Sequence, residues 1–116
     1  HLCGDALNIW SGNDDQTLPM LALGAKGVIS VASNIVPQVM ATLCAAALSG
    51  DFFTARAIHE AYAGLFDALF YEGNPIPVKT AMQMLGWDSG RALPDGGGER
   101  RKTAKLFGEP AASLIF

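Results

Sequence analysis

The tetrapeptide Ser11-Gly12-Asn13-Asp14 holds more chemical potential than any other stretch of this chain. It follows the apolar run Ala6-Leu7-Asn8-Ile9-Trp10, which places it as the turn leaving a strand. Parallel α/β proteins put their ligand sites at that end of a strand. Gly12 has no side chain to hold a ligand off the backbone, and the N–H groups opening the next helix suit a carboxylate or a phosphate. The plain alternative is a capped turn whose residues serve only that helix. Phosphate is the weaker functional version, because no Walker-type or dinucleotide-type glycine pattern accompanies the turn.

Other reactive side chains are scattered. Lys26, between Ala25 and Gly27, falls at the start of a second strand, the end that serves stability rather than chemistry. Lys79 belongs to a peripheral helix, so neither amine is placed as a Schiff-base nucleophile. His59, between Ile58 and Glu60, reads as a surface or boundary histidine. Cys3 and Cys44 are the only cysteines, without a CxxC pair or histidines at ligand spacing, so zinc has little support. They are expected as reduced thiols of a cytoplasmic protein, with Cys44 a small hydrophobe inside Leu43-Cys44-Ala45-Ala46. No Ser-His-Asp or Cys-His arrangement can be drawn, and no cofactor motif is found.

The elements that must position the first turn follow from the pattern. Residues 6–10 predict a strand, 16–23 a short helix with Gly24 as its stop, and 27–32 a second strand carrying Val28, Ile29 and Val31. A strand-helix-strand order makes the two strands parallel neighbours through a right-handed crossover, with Ser11-Gly12-Asn13 and Ala32-Ser33-Asn34 at one end. Pro37 opens a helix reaching Ser49 and Gly50. Asp51 caps the next, whose buried face is Phe52, Ala55, Ile58, Tyr62, Leu65, Phe66, Leu69 and Phe70 at three-and-four spacing. Asn74 is expected as cap and Pro75 as first residue of a further helix ending at Leu85 and Gly86. Two parallel strands cannot cover their own faces and edges, so either other strands belong beside them or the helices fold over them. The strand-helix-strand order thus favours a truncated chain.

At 116 residues the chain suits one small domain and falls far short of the roughly 250 residues of a complete (β/α)8 barrel. Half of it is hydrophobic, which argues against disorder over most of its length. No apolar run reaches the roughly 18 residues of a membrane span, and no charged-then-apolar leader follows His1. The net charge of −3 argues against nucleic acid. Its distribution is uneven: three basic residues face seven acidic ones through Trp87, and five face four beyond it. Arg100-Arg101-Lys102 reads as a solvated helix start, within an amphipathic helix expected over 99–107. The stretches Asp88-Ser89-Gly90-Arg91 and Pro94-Asp95-Gly96-Gly97-Gly98 have turn and linker chemistry.

Three segments carry a family resemblance over residues 5–87. Ser11-Gly12-Asn13-Asp14 is similar to the Ser-Gly-Asp-Asp motif after the seventh strand of dihydrodipicolinate synthases, with Asn13 as a departure. Leu21 to Val31 resembles their seventh helix and eighth strand. Glu72-Gly73-Asn74-Pro75-Ile76-Pro77-Val78-Lys79 resembles Glu-Pro-Asn-Pro-Ile-Pro-Val-Lys, with Gly73 in place of a proline, and favours these enzymes over their N-acetylneuraminate lyase cousins. The resemblance implies an α/β chain made of the last two βα units of a TIM (β/α)8 barrel followed by C-terminal helices. It divides into a βαβα part at 1–50, a helical region at 51–87 and an atypical tail at 88–116. After Leu93-Pro94 the tail departs from the family pattern, which points to a frameshift or a mispredicted end.

The same resemblance implies a pyruvate-dependent class I aldolase. A lysine forms a Schiff base with pyruvate, and the enamine attacks aspartate semialdehyde on the way to diaminopimelate and lysine. Gly12 and Ile29 would line the pyruvate pocket. The lysine, the relay tyrosine and the threonines of the carboxylate site are expected upstream of His1, so no catalytic residue is assigned within the chain. No cofactor or metal is implied, the partners are the two small-molecule substrates, and a homo-oligomer is expected of the full-length parent. A non-catalytic interaction module and another pyruvate aldolase of the superfamily stay open as alternatives.

Overall fold

The computed structural model describes residues 3–87. The expectations for 88–116, including the helix over 99–107, lie outside the described residues. Within them, a single turn of 3-10 helix at Gly4–Ala6 leads to strand β1 (Trp10–Ser11), helix α1 (Thr17–Ala22) and strand β2 (Gly27–Val28). A second 3-10 turn at Ala32–Asn34 precedes helices α2 (Pro37–Leu48), α3 (Phe52–Leu69) and α4 (Ile76–Met84).

The two strands are parallel, as the strand-helix-strand order predicts, with Trp10 opposite Gly27 and Ser11 opposite Val28. Gly27 lets the strands pack closely: a Cβ there would stand 3.1 Å from Cδ1 of the Trp10 indole, which would have to give by a few tenths of an ångström. Both strands are shorter than the sequence predicts. The segment expected as strand over 6–10 begins instead with a turn in which the Ala6 N–H donates to the Cys3 carbonyl at 3.0 Å. Only the Lys26 N–H to Ile9 carbonyl bond, 2.8 Å, extends the ladder backwards. The expected strand over 27–32 stops at Val28 because side chains capture the following amides. Ser30 Oγ takes the Ser33 N–H at 2.8 Å and Asp14 takes those of Val31 and Ala32. Local side-chain acceptors of this kind compete with a strand ladder and turn the chain into 3-10 geometry.

Helix punctuation agrees with the sequence in most places. Gly24 (φ +98°) and Gly50 (φ +87°) adopt the left-handed backbone that ends α1 and α2, and Gly86 (φ +75°) follows the end of α4. Asp51 caps α3, accepting the Thr54 N–H at 3.1 Å. The start of α4 differs. Pro75, not Asn74, is the cap: its carbonyl accepts the Lys79 N–H at 3.1 Å, and the Ile76 N–H turns back to the Gly73 carbonyl. Pro77 takes the first turn, where a proline's missing N–H leaves no bond unmade. The start of α1 also lacks the side-chain cap expected from its polar turn.

Two apolar clusters hold the helices together. One joins Ala32, Ile35, Val36 and Met40 to Leu65, Phe66, Ala68 and Leu69 of α3 and to Val78 and Ala81 of α4. The other packs Leu21 and Ala25 against Leu43, Ala46, Ala47 and Ala55, whose small side chains let α1, α2 and α3 approach closely. α3 buries one face, with Leu65, Phe66 and Leu69 wholly inside and Ile58 and Tyr62 half-buried. Phe52 and Phe70, expected on that face, are exposed. They lie at the two ends of the helix, where Ala55 and Leu69 already close the contact with its neighbours. The sheet is covered on one side only: Ser11 is buried and Val28 packs on the first cluster, while Trp10 and the flanking Leu7, Ile9 and Ile29 are each half or more exposed.

Candidate functional site

The site is built from the two loops that leave the strands. Ser11 ends β1 fully buried, and its Oγ donates to the Asn13 carbonyl at 2.7 Å. The same carbonyl accepts the Thr17 hydroxyl at 3.2 Å, so the turn is tied to the first turn of α1. Gly12 is exposed at its tip. Its φ is not in the left-handed region, and a Cβ there would meet nothing within 4 Å. Neither backbone strain nor packing demands glycine, so the free space beside its backbone is what the residue provides.

Ile29 follows β2. Its N–H donates to the Ser11 carbonyl at 2.9 Å, while its side chain is 76% exposed. The parallel pairing therefore sets Gly12 and Ile29, the two residues expected to line a pocket, beside each other at the same end of the sheet. Asp14 joins the loops from below. It is fully buried, and its Oδ2 accepts the N–H groups of Val31 at 3.1 Å and Ala32 at 2.9 Å. Its Oδ1 is buried without a partner among the described residues. Sequence reasoning treated Asp14 as part of a capping turn and missed this reach across to the second loop. No local pattern signals it, because the two amides lie 17 and 18 residues further along the chain.

The remaining candidates fall elsewhere. Lys26 is exposed at the opposite end of the sheet, beside a concavity lined by Leu7, Ile9, Met20 and Ala25. Lys79 lies on α4. His59 is a half-buried boundary residue whose ring sits 6.1 Å from that of Phe66, with Nδ1 unpartnered among the described residues. Burial, and after it the charge of Asp14, push the Cys44 thiol above its ordinary range, which keeps it protonated and unreactive. Among the described residues no cluster of three or more His, Cys, Asp or Glu could hold a metal, and no helix is long and apolar enough to cross a membrane.

A parallel strand pair with its loops at one end and helices packed behind it defines a piece of an α/β scaffold. The dihydrodipicolinate synthetase family model matches residues 1–103, and the chain belongs to that family. The match runs past Trp87 into the tail whose composition departs. The chain is 60% identical over 78 residues to the 4-hydroxy-tetrahydrodipicolinate synthase of Persephonella marina, covering 67% of this chain and 27% of the relative. With the enzyme of the same name from Aquifex aeolicus it shares 58% over 83 residues, 72% of this chain and 28% of the relative. The crystal structure of dihydrodipicolinate synthase from Aquifex aeolicus superposes with a TM-score of 0.86 at 46% identity, covering 97% of this chain and 39% of the other. The Thermotoga maritima enzyme gives 0.82 at 34%, covering 99% and 39%. These neighbours are TIM-barrel enzymes, and the chain spans little more than a quarter of the length of the curated relatives it matches.

Proposed function

We propose that this chain supplies the last two βα units and the following helices of a (β/α)8 barrel, residues 1–50 and 51–87, in a 4-hydroxy-tetrahydrodipicolinate synthase. The enzyme condenses pyruvate with aspartate semialdehyde. What carries the reading is the pair of loops at one end of two parallel strands, in a chain of this family. The uncovered side of the sheet supports it, since Leu7, Ile9, Trp10 and Ile29 expose the surface that neighbouring barrel strands and substrate would occupy. A cytoplasmic homo-oligomer is part of the same proposal.

In this reading a lysine on a preceding strand attacks the keto carbon of pyruvate and expels water as the Schiff base forms. Loss of a methyl proton gives an enamine, whose carbon bonds to the aldehyde carbon of aspartate semialdehyde. This chain contributes walls rather than the nucleophile. Gly12 leaves its backbone open to the keto acid. Ile29 offers its side chain and carbonyl, because its N–H is already committed to Ser11.

The test is a graft in which residues 1–103 replace the matching stretch of the Aquifex aeolicus enzyme. Borohydride should trap pyruvate covalently on the graft and should not do so on the 116-residue chain. A pyruvate adduct mapped to Lys26 or Lys79 would overturn the assignment. A folded graft that traps nothing would favour a non-catalytic interaction module.

A further inference from the structure

Asp14 is a costly residue to find where it is. A fully buried carboxylate must recover its lost hydration from donors, and an asparagine or serine could serve two amides without burying a charge. Its donors are not the start of its own helix, the usual partners of an acid in such a turn, but Val31 and Ala32, beyond the second strand. Ile29 and Ser30 are thereby bracketed. Before them the Ile29 N–H is held by the Ser11 carbonyl at 2.9 Å, and after them two N–H groups are held by Asp14. Both ties come from the single loop that carries Gly12, and that loop is itself pinned through Ser11 Oγ and Thr17 Oγ1.

We propose that Asp14 is a positioning residue, whose hydrogen bonds to the Val31 and Ala32 amides fix Ile29 against Gly12 and so set the width of the keto-acid pocket. The inference rests on the functional reading above. Asp14 touches no reacting atom in it. Two hydrogen bonds on one buried oxygen leave the second loop little freedom, because an amide left without its acceptor there carries the cost of its lost hydration. A displacement of about 1 Å at a binding wall is enough to cost about a hundredfold in turnover efficiency.

The experiment uses the Aquifex aeolicus graft with four substitutions. Asp14→Ala should raise the KM for pyruvate about tenfold or more while kcat changes less. Asp14→Asn, which keeps an oxygen for both amides, should stay within about threefold of the parent. Val31→Pro removes one donor at a φ of −81°, which proline accepts, and should shift KM in the same sense by less. Leu69→Ala, in the core, should lower the melting temperature without moving KM. Hydrogen exchange in the graft supplies a second measurement, in which the Val31 and Ala32 amides should be protected in the parent and in Asp14→Asn and exposed in Asp14→Ala. Unprotected amides in the parent, or KM in Asp14→Ala within twofold of the parent, would overturn the proposal. So would an Asp14→Asn as impaired as the alanine variant. If Asp14→Ala does not fold, Asp14→Asn and Val31→Pro decide on the same criteria. A parent graft that fails to trap pyruvate counts against the functional reading and takes the pocket role with it, whereas trapping with unchanged KM counts against Asp14 alone.

Discussion

Asp51 shows how a single side chain both starts an element and gives it a pH dependence. Hydrogen bonds from Thr54, first from its side chain and then from its backbone N–H, hold the Asp51 carboxyl below the ordinary carboxylate value. A depressed carboxylate stabilises the folded state fully above its unfolded pKa, and that contribution is lost as pH falls through the folded one. Asp51→Ala in the graft should therefore lower the melting temperature at pH 7 and flatten its fall below about pH 4. Asp51→Asn, another good cap, should keep most of the stability at pH 7, and calorimetry across pH separates the two. Cys44 is shifted the other way. Its raised pKa gives a contribution present below the unfolded value and lost as pH rises through the folded one. Iodoacetamide at pH 7.5 should modify the exposed Cys3 well before Cys44, as peptide mapping would show. Cys44 was legible as a small hydrophobe from its apolar neighbours. The charge beside it was not, because Asp14 is thirty residues away in sequence.

At the scale of elements, α3 is the member that binds the others together. Phe66 is wholly buried between the 3-10 turn at Ala32–Asn34, α2 and α4, so Phe66→Ala in the graft should cost about 3–5 kcal/mol in urea unfolding. Phe53, 88% exposed one residue into the same helix, should tolerate serine within about 0.5 kcal/mol. Gly24→Ala should cost about 1 kcal/mol or more, because φ there is +98°. Helix extents were readable because their signals are local: a glycine stop, Asp51, and apolar positions three and four apart. Strand extents were not. Residues 27–32 carry the β-branched residues of a longer strand, and the end of β2 at Val28 was decided by amide acceptors on Asp14 and Ser30 that no propensity registers.

At the scale of the whole molecule the exposed side of the sheet governs behaviour. Trp10 is half exposed beside Gly27, so completing the barrel in the graft should shift its fluorescence to the blue relative to the 116-residue chain. The difference spectrum against a Trp10→Phe variant isolates this signal in both proteins, and a Trp10 contribution that stays at its position in the isolated chain would show that nothing covers β1.

Family membership and the helix order were determined by the sequence, since each is written in a contiguous motif or a short-range period, and the proposal of Gly12 and Ile29 as pocket walls starts from the same motifs. The parallel strand order also followed, because a strand-helix-strand unit of this length closes in only one sense. What the tertiary structure alone decided is the relation between the two loops. Asp14 could have capped its own helix. Burial, together with two unsatisfied amides on the far side of α1, drew it instead across to Val31 and Ala32, a choice made by distances in space and invisible in the order of residues.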